Sequence, residues 1–218
     1  MSQTIRAILL SLLLAAPVTL SSAIPSAAQT SDAVVSDDWS NFMYPQAVSS
    51  AVDENAAVQI IDIRRAKYVR KGTIPGAVWL PFKDWRGTED RARQPLPAAE
   101  LAAFVGDAGI TLDQPIVVYG HSGKTVQTGR AAIVYWILKS AGAEDIAIMN
   151  GGFKAWRAAE LPETEEPTIL DPITIDVAYD YTHWADPMDI FAVTTGQKEG
   201  AILDARLDGQ VRKSIETG

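Results

Sequence analysis

The chain contains no cysteine. That excludes a thiolate nucleophile, disulfide staples and cysteine-ligated metal from these 218 residues. Histidine is scarce: only His121 and His183 are present, far apart in sequence, so no metal centre and no metal cofactor are expected. A basic excess is also missing. Nineteen Lys and Arg stand against 27 Asp and Glu, a formal net charge of −8 with the charges dispersed. Nucleic acid and anionic membranes need a basic footprint, so neither is an expected partner. Without disulfides, the stability of the fold must come from its apolar core.

The first apolar run reads as an export signal. Arg6 supplies the positive start, Ala7 to Ala16 the apolar stretch broken by Ser11, and Ser26-Ala27-Ala28 the small residues before a cut at Gln29. Pro17 interrupts the run and leaves it too short for a membrane anchor. Residues 1–28 are therefore expected to be removed, and the mature protein is expected in the periplasm, with no membrane attachment after cleavage.

The mature part of the chain alternates strands with helices. Asp37-Asp38-Trp39 offers a helix start with an acidic N-cap. Val58 to Ile63 is a near-continuous apolar run, the pattern of a strand buried on both faces. Thr73-Ile74-Pro75-Gly76 is a turn, and Ala77 to Leu80 a second short strand. A helix is expected over Pro97–Ala108 and a strand over Ile116–Tyr119. A longer helix is expected over Thr128–Ala141, with Ile133, Trp136 and Ile137 as its buried stripe. Ile146–Met149 is a further strand, Asn150-Gly151-Gly152 a turn, and Phe153–Ala159 a short helix. This succession predicts an α/β domain with a parallel sheet. Glu160 to Pro172, rich in Pro and Glu, reads as a linker, with Glu165 and Glu166 as solvated charges. Beyond it, Ala201-Ile202-Leu203-Asp204-Ala205-Arg206 echoes Ile60-Ile61-Asp62-Ile63-Arg64, and Tyr181-Thr182-His183-Trp184 echoes Ser36-Asp37-Asp38-Trp39. Two landmarks in the same order predict a tandem repeat whose second copy is cut off at Gly218.

Chemistry would be sought in the strand-to-helix turn after Tyr119, with Gly120, His121, Ser122, Gly123, Lys124 and Thr125. A phosphate loop fails there because Val118 stands where its first glycine belongs. A nucleophile elbow fails because Lys124 occupies its last glycine position. Two readings stay open. Backbone amides, a helix start and Lys124 form a cradle for a small oxyanion, or the glycines serve the turn and Lys124 is a solvated charge. Asp62 and Arg64 read as a pair that orients loops by charge and hydrogen bonds. Trp79, Trp136 and Trp156 read as core.

Taken in order, Ile61-Asp62-Ile63-Arg64, Gly72-Thr73-Ile74-Pro75-Gly76-Ala77, Val117-Val118-Tyr119 and Asn150-Gly151-Gly152-Phe153-Lys154-Ala155-Trp156 resemble the rhodanese (thiosulfate sulfurtransferase) family. The resemblance implies a rhodanese-like parallel five-stranded sheet flanked by helices over residues 35–162. It also implies a linker over 163–173 and the truncated start of a second copy over 174–218. Asp62, Arg64, Gly76, Gly151, Gly152 and Trp156 would serve as its structural motif. In active members a cysteine comes after the third motif and carries a persulfide between sulfur donor and acceptor. Here Gly120 stands in that place, so the resemblance implies no catalytic residue in this domain. Ala131 to Trp136 and the loop before them resemble the noncatalytic N-terminal copy of tandem sulfurtransferases. The full-length protein would then move sulfane sulfur from a thiosulfate-like donor to a thiophilic acceptor. A catalytically inactive module that binds a protein partner or a small oxyanion is the alternative.

Overall fold

A computed structural model describes residues 39–87 and 94–205. The export signal, Asp37-Asp38 and Arg206 onward lie outside the described residues. Five strands form one sheet in the order β1-β5-β4-β2-β3, every neighbouring pair parallel. They are β1 (Phe42–Met43), β2 (Gln59–Asp62), β3 (Ala77–Trp79), β4 (Ile116–Tyr119) and β5 (Ile146–Met149). The helices are α1 (Pro45–Glu54), α2 (Ala66–Val69), α3 (Ala98–Gly106), α4 (Thr125–Ser140), α5 (Gly152–Ala158) and α6 (Pro187–Thr194). Short 3₁₀ turns occupy Phe82–Trp85 and Tyr181–His183.

The strand pattern explains the layers. Successive side chains of a strand point to opposite faces, so an uninterrupted apolar run feeds two cores at once. From β4, Ile116 and Val118 join Ile61, Val78, Ile146 and Ile148 against α3 and α4. Val117 and Tyr119 turn the other way and join Ile60, Ala147 and Met149 with α1 and α5. Each Val or Ile buried completely in this way contributes about 1.5–3 kcal/mol.

The structure revises several sequence expectations. Trp39 is not helical; it leads into the two-residue edge strand β1, and the first helix is α1, which starts with Pro45 at its first turn. The long helix begins three residues earlier than expected, at Thr125. Its buried stripe is Ala131, Val134, Ile137 and Leu138, while Ile133 and Trp136 sit half-buried at the margin of the core. Trp136 instead lies 4.5 Å from Trp184, and its Nε1 donates to the His183 carbonyl at 3.0 Å.

The segment read as a linker is extended and lies along the α/β domain. Thr164 exchanges two backbone hydrogen bonds with Thr73, and the Thr168 amide donates to the Ala77 carbonyl at 2.8 Å, beside the edge strand β3. Further on, the Ile173 amide donates to Gly106 and the Asp180 amide to Ser140. Tyr179, Tyr181 and Trp184 then close over Trp136 as an aromatic cluster. Burial pushes the Tyr179 hydroxyl up to about 12, and that hydroxyl donates to the Leu96 carbonyl. No helix among the described residues is long and apolar enough to cross a membrane.

Candidate functional site

Strands β2 and β4 are neighbours in the sheet, and their register sets Asp62 beside Tyr119. The carboxyl ends of parallel strands are where α/β folds place ligands, so the two loops that leave these residues frame the candidate site.

Under the loops lies a buried polar network. Asp62 is fully buried and accepts from the Arg64 amide at 2.9 Å, from Arg64 Nη2 at 2.6 Å, from Thr73 Oγ1 at 3.0 Å and from the Tyr119 hydroxyl at 2.7 Å. Arg64 Nη2 also donates to the Gly72 carbonyl, and the guanidinium lies 3.8 Å from the Phe153 ring centroid. Burial, and after it the Asp62 carboxylate, holds the Tyr119 hydroxyl well above its ordinary range, so it remains a donor. A buried ion pair survives when its remaining lone pairs and protons are satisfied. Here the carboxylate is saturated by the protein itself, while Arg64 Nη1 is buried with no hydrogen-bond partner among the described residues. Trp79 Nε1 caps the Arg64 carbonyl at 2.8 Å, and Trp156 Nε1 donates to the Pro162 carbonyl at 2.8 Å. Trp156 is buried, and Trp79 is half-buried beside a groove.

The loop after β4 is pinned from one side. The Phe153 amide donates to the Gly120 carbonyl at 2.9 Å and the Lys154 amide to the His121 carbonyl at 3.1 Å. This approach requires Gly152. Its φ is +60°, and a Cβ there would stand 2.6 Å from the Gly120 carbonyl oxygen and 2.8 Å from the Ser122 nitrogen. Gly151, with φ +77°, packs its Cα against the position of a Cβ on Gly123 at 3.2 Å. Gly76, at φ +81°, has open space around it and serves only the turn before β3.

At Gly120 itself a Cβ would lie 3.3 Å from the Gln127 carbonyl oxygen. The start of α4 crowds the place a side chain would fill. The amides of His121 to Thr125 donate no hydrogen bond to any described residue. Gly123, Lys124 and Thr125 are exposed, and Ser122 is half-buried with no hydroxyl partner among the described residues. His121 stacks on Tyr68 of α2 with 3.8 Å between ring centroids. Its own burial, and after it the positive charges of Lys154, Arg64 and Arg157, lowers its affinity for a proton. His183 takes no part in this arrangement: it sits exposed beside Asp180 at 3.6 Å.

The geometry thus brings together Asp62, Arg64, Gly120, His121, Gly151 and Gly152. Lys124 and Ser122 lie on the same loop with no side-chain partner among the described residues. Tyr119, Thr73 and Tyr68 join the site although sequence reasoning passed over them. The first two lie within motifs already noted, while nothing short-range marks Tyr68 as the partner of His121.

Residues 45–159 match the model of the rhodanese-like domain. The chain belongs to this family. Thiosulfate sulfurtransferase of Cricetulus griseus is 31% identical over 108 residues, which cover 49% of this chain and 36% of the relative. The putative thiosulfate sulfurtransferase SseB of Mycobacterium tuberculosis is 30% identical over 173 residues, 73% of this chain and 58% of that one. Among solved structures, SseA of Escherichia coli, a 3-mercaptopyruvate sulfotransferase with the rhodanese fold, aligns with a TM-score of 0.63 at 20% identity. That alignment covers 72% of this chain and 64% of SseA. The chain spans little more than half of SseB, and about a third of the hamster enzyme is matched. The five-stranded parallel sheet flanked by helices is therefore a rhodanese-like fold, and a sulfurtransferase family surrounds it. This rhodanese-like domain holds no cysteine with which to carry sulfur.

Proposed function

We propose that this chain carries the noncatalytic N-terminal domain of an exported tandem thiosulfate sulfurtransferase, and that residues 174–218 open a second rhodanese-like copy. The observation that carries the reading is Gly120. It stands at the end of β4, where active family members are implied to hold their sulfur-bearing cysteine, and α4 crowds the space beside it. A serine such as Ser122 is no substitute, because a hydroxyl is a far weaker nucleophile at neutral pH than a thiolate.

The repeat supports a second copy. Pro45 and Pro187 each occupy the first turn of a helix, and Asp62 stands as many positions after Pro45 as Asp204 stands after Pro187. The alignment with SseB also runs well past the matched domain in length. In the full-length protein, a cysteine of the second copy would accept sulfane sulfur from a thiosulfate-like donor and pass it to a thiophilic acceptor. The first copy would form one wall of the cleft and stabilise its neighbour. The Arg6 start and the Ala7–Ala16 run support export.

The test is cyanolysis of thiosulfate, read as thiocyanate formed. This chain should give none, Gly120→Cys should still give none, and the product of the reading frame extended beyond codon 218 should turn over. An extended product without turnover, or a natural stop directly after Gly218, would overturn the tandem reading. The second reading, an inactive module that holds a small oxyanion, is favoured by the unpartnered amides of His121 to Thr125. Calorimetry with sulfate and with thiosulfate, and with Lys124→Ala as control, decides it.

A further inference from the structure

A protein with net charge −8 places a set of exposed cations around one loop. Arg65, Lys67, Arg70 and Lys71 come after the end of β2 and flank or belong to α2; all four are exposed. Tyr68 of the same helix stacks on His121, and the Lys67 ammonium lies 5.0 Å from the Tyr68 ring centroid. Lys154, exposed on α5, is the strongest positive influence on His121, and its amide holds the loop. Arg157 ties the far side in through its hydrogen bond to the Lys71 carbonyl. Of these cations only Arg157 has an acidic partner, Glu163; the others form no ion pair among the described residues.

We propose that this face docks an acidic protein surface, with the Tyr68–His121 stack as its aromatic centre and Arg65, Lys67 and Lys154 as its basic rim. An aromatic anchor inside a polar ring is the usual anatomy of a binding hot spot. The cations are carried by α2, the residues that flank it, and α5. An extended acidic surface meets several together. A long uniform polyanion suits the face less well. Beyond Arg70 and Lys71 a groove of about 1110 Å³ carries Glu165, Glu166 and Asp107 on its other walls, and these repel it. The face belongs wholly to the first domain, so its docking is independent of the tandem reading.

The probe is a fluorescein-labelled peptide of about 20 alternating Asp and Glu residues with one central Phe, monitored by anisotropy on the whole chain. Binding should weaken about tenfold between roughly 50 and 200 mM NaCl, as expected for screened exposed charges. The double variant Lys67→Glu, Lys154→Glu should weaken it by at least about tenfold. Lys198→Glu, on the C-terminal arm, should leave it within about twofold. Both variants replace exposed side chains, and an unchanged thermal melt confirms their folding. No binding at low salt would overturn the proposal, as would equal loss in Lys198→Glu. Displacement by sulfate beyond that of NaCl at matched ionic strength would reassign the face to a small oxyanion. Equal affinity for an oligo-thymidine of the same length would reassign it to nucleic acid. The outcome is separable from that of cyanolysis, which reads no binding to this face.

Discussion

The stretch Ile60-Ile61-Asp62-Ile63-Arg64 and the stretch Ile202-Leu203-Asp204-Ala205 carry one pattern in two surroundings. In the first, Ile61 is fully buried as part of β2, between β4 and β3. In the second, Leu203 is 90% exposed and residues 201–205 form no strand. The helices that precede them behave differently. Both α1 and α6 form, each with a proline in its first turn. Helix α6 has a complete capping box, in which Asp186 accepts from the Asp189 amide while the Asp189 side chain accepts from the Asp186 amide. A helix closes its hydrogen bonds within itself and can be fixed by local capping, whereas a strand exists only through its neighbours. Helix α6 is thus held by its own local capping, whereas β2 depends on the rest of the sheet.

The largest effect should come from Asp62→Ala, which strands the buried Arg64 guanidinium. A loss of about 3–5 kcal/mol is expected in urea unfolding. A paired substitution sharpens the contrast directly. Ile61→Ala should cost about 2–5 kcal/mol. Leu203→Ala should stay within about 0.5 kcal/mol of the parent. Equal losses at the two positions would mean that the second stretch is packed as a strand after all. Next comes Gly152→Ala: the left-handed backbone alone costs about 1–2 kcal/mol, and the clash with Gly120 and Ser122 adds to it. The same change at Gly76, where nothing crowds the Cβ, should cost only the backbone part.

The smallest effect is one of pH. The His121 proton affinity is lowered in the folded chain by burial and then by its cationic neighbours. The unfolded chain therefore binds the proton more readily. His121 contributes stability above its unfolded value of about 6.5, and that stability is lost as pH falls through the lowered folded value. His121→Phe keeps a ring on Tyr68 and should make the melting temperature fall less steeply between about pH 7 and 5. An unchanged slope would assign the acid sensitivity to other groups.

Much of the fold is legible because its strands are buried on both faces. Ile116–Tyr119 and Ile146–Met149 are apolar without interruption, bounded by turn residues, and the structure ends them where the turns begin. The edge strand β1 is two residues long and sets Phe42 outward at 52% exposure, so no periodicity announces it. Helix α1 is rich in Ala and Ser; only Pro45 and the spacing of Val48 and Ala51 mark it. The motif residues of the site are legible as well, but their contacts are not. Asp62 meets Tyr119 through strand register, Thr73 reaches both from the turn before β3, and Tyr68 meets His121 across two loops, so their sequence separations carry no sign of the contact. The strap over residues 163–173 is hidden by its Pro- and Glu-rich composition, which is the same whether a segment spans solvent or lies along a sheet edge.

The pairing of β1 with β5 has a consequence for synthesis. Phe42 and Met43 leave the ribosome early, yet their only strand partners among the described residues are Ile148 and Met149. The edge must wait, unpaired, while three other strands and four helices are made. The aromatic cluster waits longer still, because Trp136 is covered only once Trp184 has been added. The α/β domain is therefore sealed by residues that come after its last strand and helix in sequence. A nascent chain held short of Trp184 would present an unfinished aromatic face to whatever it meets.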